Sequence, residues 1–168
     1  MKMILSTADV STPFVVLPDS AMGRNKQPWF IPDFGNNWRG GLALALRVGR
    51  LGKNISAKFV ERYVDAVTLV WHPMADDVAP SVLQSMDSAV VVGQWVESLD
   101  CLMIDGETDV TLTLHAAMSL LADASKYMTL KTGDIVAVEL PAIPSLTLIQ
   151  SHIEHTLDNN TVLSFNIK

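Results

Sequence analysis

The chain has 168 residues, a length that fits one domain covering residues 1–168 and can bury a sizeable core without disulfides. Its net charge is −6 and it has no basic run, which argues against nucleic acid and anionic membranes as partners. Hydrophobic residues make up 49% and charged residues only 18%, below the roughly 25% of typical soluble domains. This composition predicts that a second copy covers part of the surface, most simply in a homodimer.

The sequence shows no sign of a membrane span or a leader peptide. No stretch approaches the roughly 20 apolar residues of a spanning helix, and the N-terminal segment lacks a long hydrophobic centre. The single cysteine, Cys101, permits no internal disulfide, and its apolar neighbours predict a buried structural thiol rather than a nucleophile. Together these features predict a cytoplasmic protein.

Strand patterns dominate the first part of the chain. A short strand is expected between Pro13 and Pro18, and an extended piece at Trp29–Ile31 leads into a turn-rich loop. Alternation over Leu42–Val48, with glycines near both ends, favours a strand over a helix. Further along, the patterns predict a short helix with Ser56 as N-cap and strands at Asp65–Trp71 and Ser88–Val96.

The second part of the chain contains the best helix pattern. Residues 101–114 predict a β-hairpin that turns near Asp105–Gly106, and a long helix follows with Thr113 as a candidate cap. A strand at Ile135–Leu140 and a hairpin turning at Asp158–Asn160 complete the chain. One face of the long helix is apolar: Leu114, Ala117, Met118, Leu121 and Ala124. The expected fold class is α+β, mostly β, with one long and one short helix.

The two faces of the Leu42–Val48 strand differ sharply. One face carries Leu42, Leu44, Leu46 and Val48, whereas the other carries Gly41, Ala43, Ala45 and Gly49 together with Arg47. A face of such small side chains needs an explanation from the rest of the sequence.

Several phrases in order resemble the fumarylacetoacetate hydrolase family: "LPDSAM", "PWFIPDF", "LRVGRLGKNIS", "RYVDAVTLV", "TLKTGDIVAVELP" and "FNIK". The match runs from about Val15 to the C-terminus, and the order of the phrases is more specific than any one of them. The resemblance implies a mixed β-sandwich roll that assembles as a dimer or higher oligomer. It also implies chemistry on small oxo- or enol-acids (C–C hydrolysis, decarboxylation, hydration or isomerisation) around magnesium or a similar divalent cation.

The metal-binding positions of the family are changed in this chain. Counting back from "GRLGKN" places the two glutamates of the family's E-x-E word on Gly41 and Ala43, and counting along "RYVDAVTLVWH" places its aspartate on His72. Magnesium needs hard oxygen ligands and charge compensation, which a single imidazole does not supply. The resemblance therefore predicts no metal and no catalytic residue at these positions.

Other charged family positions are also changed. The lysine of K-P-x-S becomes Leu17, and the lysine of K-x-x-D becomes Gln84, although Asp87 remains. The family's R-D pair becomes Asp76–Asp77, and T-G-T-P becomes Val138–Pro141. The resemblance implies an N-terminal segment shorter than that of catalytic members, whose N-Y-x-x-H loop supplies a general base. Fold-supporting residues are thus kept while charged ones are lost.

We therefore expect a non-catalytic homologue that serves as a binding or assembly module, pairing with itself or with an active paralogue. The alternative is an oxo-acid hydrolase, decarboxylase or isomerase with a rebuilt site. A residual pocket is expected, and it could bind a small carboxylate through Arg47. Its candidate residues are Arg47, His72, Asp76, Asp77, Asp87 and Glu139.

The histidines allow two further readings. His72 is expected to hydrogen-bond a neighbour such as Asp76 or Asp77, with zinc held by His72 and nearby carboxylates as the alternative. In "HIEH", His152 and His155 point to opposite sides of an expected strand, which disfavours a metal site.

Overall fold

A computed structural model describes residues 1–6, 14–99, 102–140, 143, 146–147 and 152–168. The predicted burial of Cys101 concerns a residue outside this part of the chain. The described strands are β1 Lys2–Ser6, β2 Val15–Pro18, β3 Met22–Arg24, β4 Arg39–Val48, β5 Val64–Met74, β6 Val90–Val92, β7 Met103–Ile104, β8 Thr108–Asp109, β9 Ile135–Glu139, β10 Leu146–Thr147, β11 His152–Leu157 and β12 Asn160–Asn166.

The described strands form two sheets. The larger has the order β2-β1-β9-β4-β5-β6-β3, with β10 also paired to β4, and the smaller has the order β12-β11-β7-β8. β1 runs parallel to β9, and β3 runs parallel to β6, whereas β4 is antiparallel to both of its long neighbours. The sheet is thus mixed, and the predicted α+β, mostly β fold is confirmed.

The described helices are short except for one. A 3₁₀ helix spans Ala57–Tyr63, α1 spans Pro80–Ser85 and α2 spans Thr111–Tyr127, with one 3₁₀ turn at Asp19–Ala21. The predicted apolar face of α2 is buried along its whole length. None of the helices in the described ranges is long and apolar enough to cross a membrane.

Ser56 occupies the predicted N-cap position of the 3₁₀ helix, whereas the predicted cap Thr113 was wrong. The Ser56 side chain forms no capping hydrogen bond to the 3₁₀ helix. Thr113 lies inside α2, which begins two residues earlier because Asp109 Oδ1 accepts hydrogen bonds from the N–H and hydroxyl of Thr111 at 2.8 and 2.6 Å. An aspartate before the helix therefore organises its first turn.

The strand at the N-terminus and helix α1 were not predicted, and Ser88–Val96 pairs as a continuous strand only over β6. Val96 rejoins β5 through an isolated bridge to Val67. The two hairpin turns fall where the glycine and asparagine signals place them. The extended piece is also present, since the N–H groups of Trp29 and Ile31 donate to Asn166 and Lys168 at 2.8 Å.

Apolar clusters cover both faces of the larger sheet. The leucine face of β4 packs into the main core, where Trp71 contacts Trp29 and Phe165 edge-to-face. Ala43 and Ala45, on the opposite face, lie fully buried in a second cluster. The small side chains of β4 therefore face tightly packed apolar groups rather than open space.

Candidate functional site

Four family-matched positions lie together on the sheet. In the antiparallel register, Gly41 stands opposite His72 on β5, and Ala43 stands opposite Glu139 on β9. Because directly opposed residues in a sheet point to the same side, all four side-chain directions share one face. The sequence prediction that these positions form one cluster is consistent with this register.

The imidazole of His72 occupies the space beside Gly41. A Cβ atom added at Gly41 would lie 2.7 Å from both Cε1 and Nε2 of His72 and 3.2 Å from Cε of Met74. Carbon contacts of 2.7 Å are far inside van der Waals distance. Glycine at position 41 and histidine at position 72 are thus sterically matched to each other.

His72 is buried and lies near one carboxylate. Its residue is 7% exposed, and Nε2 lies 3.6 Å from Oε1 of Glu139, beyond ordinary hydrogen-bond length. Burial lowers the pKa of the His72 imidazole below its usual range, and the Glu139 carboxylate offsets that effect only in part. The neutral imidazole is the favoured form at neutral pH.

This burial predicts a pH-dependent stability. In the unfolded chain His72 takes up a proton near its usual pKa of about 6.5, whereas the folded chain resists protonation. Its contribution to stability is therefore present above about pH 6.5 and is lost as the pH falls. Urea unfolding at about pH 7.5 and 5.5 should show a smaller pH effect in His72→Gln than in the wild type. The matched variant His115→Gln, at an exposed helical position, should keep the wild-type effect; an equal effect in all three proteins would contradict the argument.

A cavity of about 310 Å³ adjoins His72 and Glu139. Leu17 and Gln84, at the two family lysine positions, both line it, as does Arg39. The rest of the lining is mainly apolar and includes Leu5, Val78, Leu83, Ala89 and Val90. The family-matched positions thus converge on one small, mostly apolar cavity.

The adjacent acids Asp76 and Asp77 do not pair with His72, so that expectation is wrong. Asp76 binds the Arg39 guanidinium at 2.5 Å, and both Asp77 oxygens accept hydrogen bonds from Asn36, at 2.7 Å from the backbone N–H and 2.6 Å from the side chain. Those bonds, led by the backbone N–H, hold the pKa of Asp77 below its usual range. The described partner of His72 is Glu139 instead.

Two other candidate residues lie away from this cavity. Asp87 is exposed and is not among the residues that line it. Arg47 lies near the other end of β4, where Nε donates to Asp65 Oδ1 at 2.7 Å and the guanidinium stacks 5.3 Å from the Trp95 ring centroid. The expectation that Arg47 reaches the rim of the same pocket is therefore wrong.

The remaining histidines take the positions expected from the sequence. His115 is exposed on α2, and His152 and His155 lie on β11. His152 contacts Asn166 Oδ1 at 2.9 Å, whereas His155 contacts Asp105 Oδ2 at 2.8 Å. Among the described residues, no three His, Cys, Asp or Glu side chains come close enough together to hold a metal ion.

Sequence reasoning missed Arg39 as a lining residue. It lies before the predicted start of the strand at Leu42, yet β4 already begins at Arg39. Its Nε atom is buried and has no hydrogen-bond partner within the described part of the chain. The useful signal was the register, since Arg39 is two residues from Gly41 and so points to the same face.

Comparisons with known proteins show which solved structures share this fold. No protein-family model matches the sequence, and no curated protein matches it either. Solved structures do match: 2-hydroxyhepta-2,4-diene-1,7-dioate isomerase from Mycobacterium marinum superposes with a TM-score of 0.82 at 19% identity, covering 99% of this chain and 73% of that one.

Two further solved structures superpose on the chain similarly well. Fumarylpyruvate hydrolase from Pseudomonas aeruginosa, solved with Mn²⁺ and pyruvate, gives a TM-score of 0.80 at 13% identity, covering 99% of this chain and 89% of its own. A fumarylacetoacetate hydrolase family structure from Yersinia pestis CO92 gives 0.79 at 18% identity, with coverages of 99% and 92%. At these low sequence identities, the superpositions show a shared fold and do not show a shared function. The chain therefore has the fold of fumarylacetoacetate hydrolase family proteins.

Proposed function

We propose that this protein is a non-catalytic homologue of the fumarylacetoacetate hydrolase family that acts as a binding or assembly module. The observation that carries the proposal is the steric match between Gly41 and His72, because an imidazole ring stands where a side chain at position 41 would project. A glutamate at that position and His72 in its present place exclude each other.

The chemistry of the donor set supports the same proposal. Magnesium requires several hard oxygen ligands, whereas this face presents Gly41, Ala43, a buried neutral imidazole and the carboxylate of Glu139. Ala43 is fully buried among apolar side chains, so no oxygen ligand comes from that position. These residues do not fit a magnesium ion, and we assign no cofactor and no metal-dependent step to them.

Metal and turnover measurements on the purified chain test this proposal. We expect no stoichiometric Mn²⁺ or Mg²⁺ binding by isothermal titration calorimetry, and no turnover of fumarylpyruvate, the substrate named for one structural neighbour. One tightly bound ion, lost in both His72→Ala and Glu139→Ala, together with turnover, would contradict the proposal.

The alternative is a hydrolase, decarboxylase or isomerase of oxo-acids with a rebuilt site. The observation that favours it is the buried His72 imidazole near the partly exposed Glu139 carboxylate, beside a cavity that Arg39 also lines. Imidazole with a carboxylate suits zinc better than magnesium. Zinc titration with His72→Ala as control separates the two readings, since His72-dependent binding would support the rebuilt site.

We also propose that the protein associates with itself, or with an active paralogue, in the cytoplasm. This association is supported by large apolar side chains on the surface: Phe30, Ile31, Phe34, Leu112 and Tyr127. Light scattering of the purified chain should give the mass of a dimer, and a clean monomer would count against self-association.

A further inference from the structure

The small-residue face of β4 lies between two separate cavities. Gly41 and His72 mark one end, whereas Arg47 lies six residues further along, about 20 Å at roughly 3.3 Å per residue. Ala43 and Ala45 fill the space between them, and neither is exposed to solvent. The cavity around Arg47 is thus distinct from the one at the family-matched positions.

This second cavity is the larger of the two, with a volume of about 780 Å³. That size falls within the roughly 300–1,000 Å³ of sites for small molecules. Ile135 belongs to the second apolar cluster and Met22 packs against it, and both residues supply apolar lining to the cavity. Its polar and aromatic lining comes from separate elements: Arg24 at the end of β3, Lys26 after it, Arg47 on β4 and Trp95 after β6.

The lining is cationic although the whole chain is acidic. Arg24, Lys26 and Arg47 line the cavity, and Asp19 contributes the one carboxylate among its described lining residues. Within the described part of the chain, neither Arg24 nor Lys26 forms an ion pair, and Asp65 binds Arg47 through Nε. Arg24 and Lys26 outnumber the lining carboxylate of Asp19, so this concave surface favours anions even though the chain has a net charge of −6.

Trp95 adds a flat apolar wall to this charged site. Its indole is half-buried, packs against the second apolar cluster and carries the Arg47 guanidinium 5.3 Å from its ring centroid. An arginine held against an indole ring keeps a fixed orientation and retains donors for an anion. The site therefore offers charge recognition and an apolar contact side by side.

We propose that this cavity binds a small organic anion, a carboxylate or a phosphate, that carries a flat apolar group. The anionic group lies among Arg24, Lys26 and Arg47, and the flat group packs against Trp95 and the apolar lining of Met22 and Ile135. The site is independent of the family-matched cavity, so it stands whether or not the chain is catalytic.

Isothermal titration calorimetry of the whole chain with phenyl phosphate and benzoate tests the proposal. At least one of these probes should bind, and inorganic phosphate and the neutral benzyl alcohol should each bind about tenfold more weakly or less. Arg24→Gln/Lys26→Gln removes two exposed cations and should weaken the bound probe about tenfold. Trp95→Leu should weaken phenyl phosphate without changing inorganic phosphate.

The matched control is Lys53→Gln/Lys58→Gln, which removes the same charge at exposed positions outside the cavity. It should leave the affinity for the bound probe unchanged. If both double variants weakened probe binding equally, the change in net charge alone would explain the loss, and the proposal would be overturned. Equal affinity for inorganic phosphate and phenyl phosphate, or failure of both ring-bearing anions to bind at millimolar concentration, would overturn it as well.

Discussion

Replacing Asp134 by alanine is expected to lower the free energy of unfolding by about 3 kcal/mol. This carboxylate is almost fully buried, pairs with the Lys2 ammonium, and accepts the backbone N–H of Lys2 at 3.1 Å and of Lys131 at 2.9 Å. It joins the first strand to the turn that precedes β9, 132 residues away in sequence. Removing it leaves the part-buried donors of Lys2 and Lys131 without this acceptor, which costs more than the loss of one surface contact.

Urea unfolding compares Asp134→Ala with Asp123→Ala, which removes an exposed acid paired with Lys126 on α2. The unfolding midpoint of the second variant should stay within error of the wild type, since exposed ion pairs contribute little. Similar losses in both variants would contradict the structural role of Asp134.

The same group sets an acid limit on stability. Burial alone would raise the pKa of Asp134, but hydrogen bonds from Lys131 and Lys2 and the charge of Lys2 outweigh burial and hold that pKa below its usual range. Because the folded pKa is below the unfolded value, the contribution of Asp134 is present above about pH 4 and disappears as the pH falls further.

Local patterns predicted the strands and the long helix because their signals lie within a few residues. Leu42 to Val48 alternates, and the buried face of α2 repeats at helical spacing, so burial and sequence agree. β1 was missed because its pairing with β9 depends on residues far away in the chain. Short apolar runs such as "MILS" carry no periodicity that distinguishes a strand from a loop.

The candidate site was predicted in part. The family resemblance assigned Gly41, Ala43 and His72 to one site, and the antiparallel register of β4 and β5 puts them on one face of the sheet. Counting could not show which side chain reaches which cavity, so Arg47 was placed with His72 although the packed alanines separate them. The partners of Asp76 and Asp77 depend on the loop that contains Asn36, which no local pattern indicates.

Replacing Gly41 by alanine is expected to lower the free energy of unfolding by about 1–3 kcal/mol, because the added methyl group would lie 2.7 Å from the His72 ring. The same change in a His72→Ala background should cost much less, since the truncated side chain leaves room. A double-mutant cycle in urea measures the coupling, which we expect to exceed about 0.5 kcal/mol.

An equal penalty in both backgrounds would show that backbone effects of the substitution, rather than the imidazole, account for the loss. A coupled pair would instead mean that positions 41 and 72 constrain each other. A glutamate introduced at position 41 alone would then have to displace a buried ring and bury a charge without a partner, a change that costs several kcal/mol. Under that constraint a single substitution at position 41 would not place a carboxylate in this cavity without also moving the His72 ring.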